Sequence, residues 1–199
     1  MLTAFLVLAL IGSLVALVLA LNTLISLFRD KVPYVSTPRW AIDWLRDNVM
    51  QYSPLLAKER GGGEVSPPSL QGGGRGAVYD LGCGDARVLI AIKQRYPTIT
   101  AIGYERNWWP FILAKARIRG TGVKVYRQNF YQADLRNADV VFCFLIHSVM
   151  PKVETLLRSQ LAPGATVYSY GFSFPTWKPS RRIENPTRPQ GSKLNIYTA

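Results

Sequence analysis

The chain is poor in sulfur and in imidazole. Two cysteines, Cys83 and Cys143, and one histidine, His147, are all that 199 residues carry. Neither cysteine has a spacing that suits a metal site, so no metal is expected and a reduced, cytosol-facing domain is the simpler reading. Acid is scarce too: 12 acidic against 24 basic side chains leave a net charge of +12. That excess attracts phosphates, on nucleic acid or on anionic lipid. The first 28 residues have no charged side chain at all. Also missing is the phosphate-cradling Gly-x-x-x-x-Gly-Lys-Ser/Thr loop of nucleotide hydrolases.

What replaces charge at the start is an apolar run, Leu2 to Phe28, broken only by Thr3, Ser13, Asn22, Thr23, Ser26 and a glycine. A bilayer core about 30 Å thick needs about 20 apolar helical residues. A cleaved signal would want a basic start and a run of about 7–15 residues, and this run has neither. It reads as an uncleaved, single-pass transmembrane helix, residues 1–28. Arg29, Lys31 and Arg39 follow closely, which by the positive-inside bias puts the remainder on the cytoplasmic side of the membrane.

Residues 29–60 read as a connector and an N-terminal helix. Pro33 and Pro38 keep the connector extended. Trp40, Ile42, Trp44, Leu45, Val49 and Met50 then give an apolar face to a helix predicted over Arg39–Ala57. Residues 61–76, GGGEVSPPSLQGGGRG, form a low-complexity linker or loop. From residue 77 to 199 short strands alternate with helices: AVYDL, TITAIGYE, VKVYRQNF, ADVVFCFLI and ATVYSYGF are strands, with helices over Ala86–Tyr96, Trp108–Arg119 and Pro151–Leu161. A last strand, KLNIYTA, is expected to pair with Arg182–Glu184. The pattern predicts an open, mostly parallel α/β sheet with ligands at the carboxyl ends of its strands.

The chemistry centres on VYDLGCGDAR, residues 78–87. This is strand, glycine turn, helix. Glycine lets a ligand approach the main chain, and the helix points free N–H groups and a positive dipole end at the turn. A dinucleotide fingerprint, Gly-x-Gly-x-x-Gly/Ala, fails because Arg87 fills the sixth position. An S-adenosylmethionine pocket fits better. It wants an acid two residues before the first glycine, and Asp80 is there. It also wants an acid at the end of the second strand for the ribose hydroxyls, and Glu105 is there. The cofactor-binding set is thus Asp80, Gly82, Cys83, Gly84 and Glu105, with Asn129 and Phe130 at the end of the third strand for the adenine. Asn129 can accept from the adenine amino group through its side-chain oxygen. Asp85 reads as a helix N-cap.

These stretches resemble a family. PYVSTP (33–38), VYDLGCGDAR, GYERN (103–107), Phe144–Pro151 and FPTWKP (174–179) are similar to the membrane-anchored seven-strand protein lysine methyltransferases of the ATP synthase c-subunit and adenine nucleotide translocase type, and their prokaryotic relatives. The resemblance implies a Rossmann-like class I S-adenosylmethionine-dependent methyltransferase domain over 77–199 behind the transmembrane helix. It implies that PYVSTP and FPTWKP lie around the active site. Cys83 and Ala86 depart from the pattern, where a small polar residue and a glycine are commoner.

A lysine must arrive neutral, so an apolar or aromatic slot that lowers its pKa would help, and aromatic faces hold the cationic product. Tyr34, Trp177 and the Phe144–His147 stretch, including Leu145, are the candidates for substrate positioning. His147 could accept a proton, although a structural or surface histidine is the simpler reading. The expected activity is therefore N-methylation of a lysine in a membrane protein, at the lipid bilayer. The alternative is a membrane-associated small-molecule or lipid methyltransferase. Nucleic-acid methylation is disfavoured because the fourth strand ends FLIH and not Asn/Asp-Pro-Pro-Tyr/Phe, and a non-enzymatic adaptor is disfavoured because both acids are present.

Overall fold

The computed structural model describes residues 2–30, 35–53, 55 and 76–199. The chain divides into two compact units, Met1–Val35 and Ser36–Ala199. Among its described residues the first has one helix, α1 (Leu2–Asp30). Its stretch Thr3–Leu21 is 19 residues long with none of it buried. At about 1.5 Å per residue that is ~28 Å, close to the hydrocarbon thickness of a bilayer. Length and composition make α1 able to cross a membrane, a test that a signal sequence would also meet.

The second unit opens with α2 (Arg39–Asn48). Pro38 precedes it in an extended conformation, and its carbonyl accepts from the amides of Ala41 and Ile42. Ala41, Ile42 and Leu45 are buried, a spacing that gives one apolar face. The helix stops well short of the predicted Ala57. Asn48 Nδ2 donates to the Trp44 carbonyl at 2.9 Å, and the chain turns with the amides of Gln51 and Tyr52 returning to the Asn48 carbonyl. Ser53-Pro54 could not have continued a helix, because proline disfavours helical geometry in the residue before it. The turn is then tied to the sheet: Ser53 Oγ lies 3.0 Å from Tyr168 Oη.

The strands are β1 (Ala77–Leu81), β2 (Thr100–Tyr104), β3 (Lys124–Tyr126), β4 (Val140–Cys143), β5 (Thr166–Tyr170), β6 (Arg181–Ile183) and β7 (Leu194–Thr198). They form one sheet in the order β3-β2-β1-β4-β5-β7-β6. The first five are parallel, while β7 runs antiparallel to both β5 and β6. The main helices between strands are α3 (Arg87–Arg95), α4 (Trp108–Arg117) and α5 (Met150–Gln160). This is the predicted alternation, and β6 does pair with β7.

Strand order reverses between β1 and β4, and such a switch point leaves a crevice at the carboxyl ends. The core follows from the two-residue alternation of strands. Val78, Ala101, Val125, Val140, Phe142 and Tyr168 join Leu45 of α2 and Leu89 and Ile92 of α3 in one buried cluster. On the alternate positions, Tyr79, Tyr104 and Tyr126 stack in a row across β1, β2 and β3, with centroids 6.4 and 5.9 Å apart. Both cysteines are free and buried.

Candidate active site

The glycine turn is built onto the end of β2. The amides of Gly82 and Cys83 both donate to the Tyr104 carbonyl, at 2.9 and 3.0 Å. The next residue completes the clasp: Glu105 accepts from the Gly84 amide at 3.0 Å and from the Asn107 amide at 2.7 Å. Gly82 and Gly84 have φ of 81° and 55°, the left-handed region that side chains disfavour. Gly103, on β2, is needed for a different reason. A Cβ there would lie 2.6 Å from Cys83 Sγ, 2.8 Å from Cys83 Cβ and 2.9 Å from Leu89 Cδ1. Only a glycine lets the turn and α3 sit this close to the second strand.

Three carboxylates are buried at the turn: Asp80, Asp85 and Glu105. Asp80 is 2% exposed, and among the described residues no hydrogen bond reaches its carboxylate. Burial, then Glu105 and Asp85, push its pKa well above the usual carboxylate range. Burial and the neighbouring carboxylates Asp80 and Glu105 also raise the Cys83 thiol. Asp85 is buried too, but it is paired with Arg87 Nε at 2.7 Å and with Arg117. It does not cap the helix as expected: Ala86 occupies the N-cap of α3 with φ 64°, and no side chain caps it. The left-handed residue there moves Asp85 out of capping position and toward the arginines. Beside them an open depression of about 690 Å³ is lined by Arg39, Ile42, Asp43, Arg87 and Arg117.

A buried acid with no hydrogen-bond donor among the described residues, a second acid at the end of β2 and a glycine cradle suit a cationic ligand with hydroxyls to donate. S-adenosylmethionine is such a ligand: it carries a sulfonium and an ammonium against one carboxylate. Asp80 can oppose its positive charge, Glu105 is an acceptor suited to the ribose hydroxyls, and Gly82 to Gly84 leave room at the main chain.

The remaining predicted residues scatter. Leu145 is buried beside the turn; a Cβ on Gly82 would come 3.1 Å from its Cδ2. Asn129 Oδ1 accepts from the Tyr131 amide at 3.1 Å, starting a single turn of helix over Phe130–Gln132. Phe130 and Tyr131 are half-buried with rings 4.5 Å apart. Trp177 is elsewhere, buried against Phe174 and Tyr197 with the Arg158 guanidinium 4.8 Å over its ring. Tyr197 opposes Val167, three residues back from the end of β5. His147 is exposed, 5.9 Å from Phe172. Tyr34 lies outside the described residues.

An aromatic wall that the sequence reading did not assemble stands at the carboxyl ends of β4 and β5. Trp40 of α2 meets Tyr170 edge-on at 5.7 Å, and Tyr170 meets Phe144 edge-on at 4.8 Å. Phe144 adjoins Leu145, so the wall runs toward the glycine turn. The available signal was position: Tyr170 ends a parallel strand, where ligands gather, and Trp40 closely follows PYVSTP.

A mostly parallel sheet with this order and this acid–glycine turn defines a Rossmann-like, S-adenosylmethionine-dependent methyltransferase. The fold matches an RNA methyltransferase from Salinibacter ruber, crystallised with S-adenosyl-L-homocysteine, with a TM-score of 0.63 at 23% identity over 82% of this chain and 93% of that one. The profile of the ANTKMT methyltransferase domain matches residues 80–181, and the chain belongs to that family. A protein-lysine N-methyltransferase of Saccharolobus islandicus is 34% identical over 157 residues, covering 77% of this chain and 84% of that protein. The adenine nucleotide translocase lysine N-methyltransferase of mouse is 36% identical over 56% of this chain and 50% of its own length. The mouse lysine N-methyltransferase of the ATP synthase c-subunit is 34% identical over 53% of this chain and 43% of its own length. The chain thus spans half or less of these mouse relatives. The protein is a methyltransferase, and its cofactor is S-adenosylmethionine.

Proposed function

We propose that the protein methylates lysine side chains of a membrane-embedded protein, with α1 as its anchor and residues 36–199 on the cytoplasmic side. The observation that carries the lysine assignment is the match across 84% of the archaeal protein-lysine methyltransferase. The names of the two mouse relatives support a membrane-protein substrate. Arg29, Lys31 and Arg39 after the apolar run support the sidedness.

When bound, the cofactor supplies an electrophilic methyl carbon on its sulfonium. The chain's own residues do the rest by placement. Asp80, Gly82, Cys83, Gly84 and Glu105 hold the cofactor, with Asn129 and Phe130 beside the adenine. The wall of Trp40, Tyr170 and Phe144, ending on Leu145, forms the slot for the lysine stem. A dry aromatic slot disfavours the charged amine, so the lysine is presented neutral, and the same rings hold the methylated cation. Trp177 serves this slot indirectly, by fixing the tail through Phe174 and Tyr197.

The test uses the full chain in membranes from its source, with radiolabelled S-adenosylmethionine. Label on a lysine of a membrane protein is expected. Label confined to extractable lipid or to RNA would overturn the lysine reading. Digestion of residues 36–199 by a protease added outside intact cells would overturn the sidedness.

A further inference from the structure

We propose that the sheet edge formed by α4 and β3 docks on an anionic lipid surface. From Arg106 to Ala133 the chain has six basic side chains and no acidic one. Arg117 is occupied by Asp85; Lys115, Arg119, Lys124 and Arg127 are exposed. The same stretch shows its apolar side chains to solvent: Trp108 is 52% exposed, Trp109 38%, Ile112 37% and Tyr126 46%. Within the described part of 35–199 only Val35 and Phe172 join these four as exposed large apolar residues. Scattered exposure is ordinary, but a cluster of this kind marks a surface that meets something.

The geometry makes the patch continuous. Ile112 lies one turn after Trp108 and Trp109 on α4, so the three share a face, with Lys115 next along it. The Arg127 guanidinium sits 4.9 Å over the Trp108 ring, which joins the start of the helix to the end of β3. β3 is the terminal strand of the sheet, so the patch is at the rim of the fold. Tryptophans beside lysines and arginines suit the headgroup level of a bilayer, where the ring enters the interface and the cation meets lipid phosphate. The choice of lipid over another polyanion rests on the anchor reading of α1.

The full chain is reconstituted with vesicles of phosphatidylcholine, with or without phosphatidylglycerol, whose acyl chains carry bromine. Tryptophan emission is read after flotation. With anionic vesicles we expect strong quenching, at least halved in the variant Trp108→Ala/Trp109→Ala and at least halved by 0.5 M salt (on the order of a 4 Å screening length). The variant Lys115→Glu/Arg119→Glu keeps both tryptophans and should lose the quenching equally, which covers a tryptophan variant that fails to fold. Equal quenching in wild type and both variants, in protein that floats, overturns the proposal and leaves the anchor standing. Flotation with anionic vesicles alone would sink the anchor and support the patch. No flotation with either overturns both, and emission changed by an RNA oligonucleotide but not by lipid assigns the edge to RNA.

Discussion

Residues 80–105 and 106–133 adjoin in sequence and place their charge in opposite ways. The first stretch buries three acids, Asp80, Asp85 and Glu105, around a turn of small residues. The second has no acid at all and turns its cations and tryptophans outward. A chain with net charge +12 thus gathers three buried acids around one turn, while the neighbouring stretch shows cations to solvent. Net charge here describes the exterior and says nothing about the pocket.

The comparison breaks most readily at Glu105. Glu105→Ala removes the acceptor for the Gly84 and Asn107 amides and for the ribose hydroxyls. At about 1.5–3 kcal/mol for a hydrogen bond to a charged group, we expect S-adenosylmethionine affinity to fall about 100-fold. Calorimetry of the full chain checks this, and an unchanged affinity would remove Glu105 from the site. Next is Gly103→Ala, which drives a Cβ into Cys83. Overpacking of this kind costs about 1–3 kcal/mol, to be read from the urea midpoint, and affinity should fall with it.

Asp80→Asn should separate binding from stability. Affinity is expected to drop about tenfold, yet the apo protein should gain stability at neutral pH. Asp80 has a folded pKa raised above its unfolded value by burial and by Glu105 and Asp85. The folded state therefore keeps a proton that the unfolded state gives up. Asp80's own contribution to stability is fully present below the ordinary carboxylate pKa of about 3.9 and is lost as pH rises toward the raised folded value. Melting curves of both proteins across that window should show the variant gaining on wild type as pH rises.

Ala86→Gly should stabilise by about 1 kcal/mol, because Ala86 holds φ 64° at the helix cap, a conformation costing about 1–2 kcal/mol for a residue with a Cβ. Binding should not change. The smallest effect belongs to the other region: Arg127→Ala removes an exposed cation–π contact of about 0.5 kcal/mol and should leave cofactor affinity alone. If it weakened binding tenfold, the division between the two stretches would be wrong.

The strand and helix order from 77 to 199 was legible because each element has its own periodicity and its own breaker. That Asp80, the glycines and Glu105 meet at one turn was legible because a strand–turn–helix–strand unit brings the ends of neighbouring parallel strands together. What failed were readings that depend on a neighbour. Asp85 has the composition of a cap, but Ala86 takes the cap and distant Arg117 takes Asp85. Trp177 is in a motif near the site in sequence, yet Tyr197 and Arg158 draw its ring into the tail's core. The α2 helix had an apolar pattern long enough for Ala57, but Asn48 ended it. The aromatic wall joins residues from α2, β4 and β5, which no local window could connect.

The clasp between Tyr104–Glu105 and the glycine turn has a thermodynamic consequence. The amides of Gly82, Cys83 and Gly84 are already committed to β2 before any ligand arrives. The ordering entropy of the turn is therefore spent during folding and not at the moment of association. Cofactor binding should show a heat-capacity change that scales with the apolar area covered, without the additional contribution that accompanies coupled folding. Loosening the clasp would move that entropy from the folding reaction into the binding reaction, and the enzyme would then lose affinity through disorder even with every contacting atom in place.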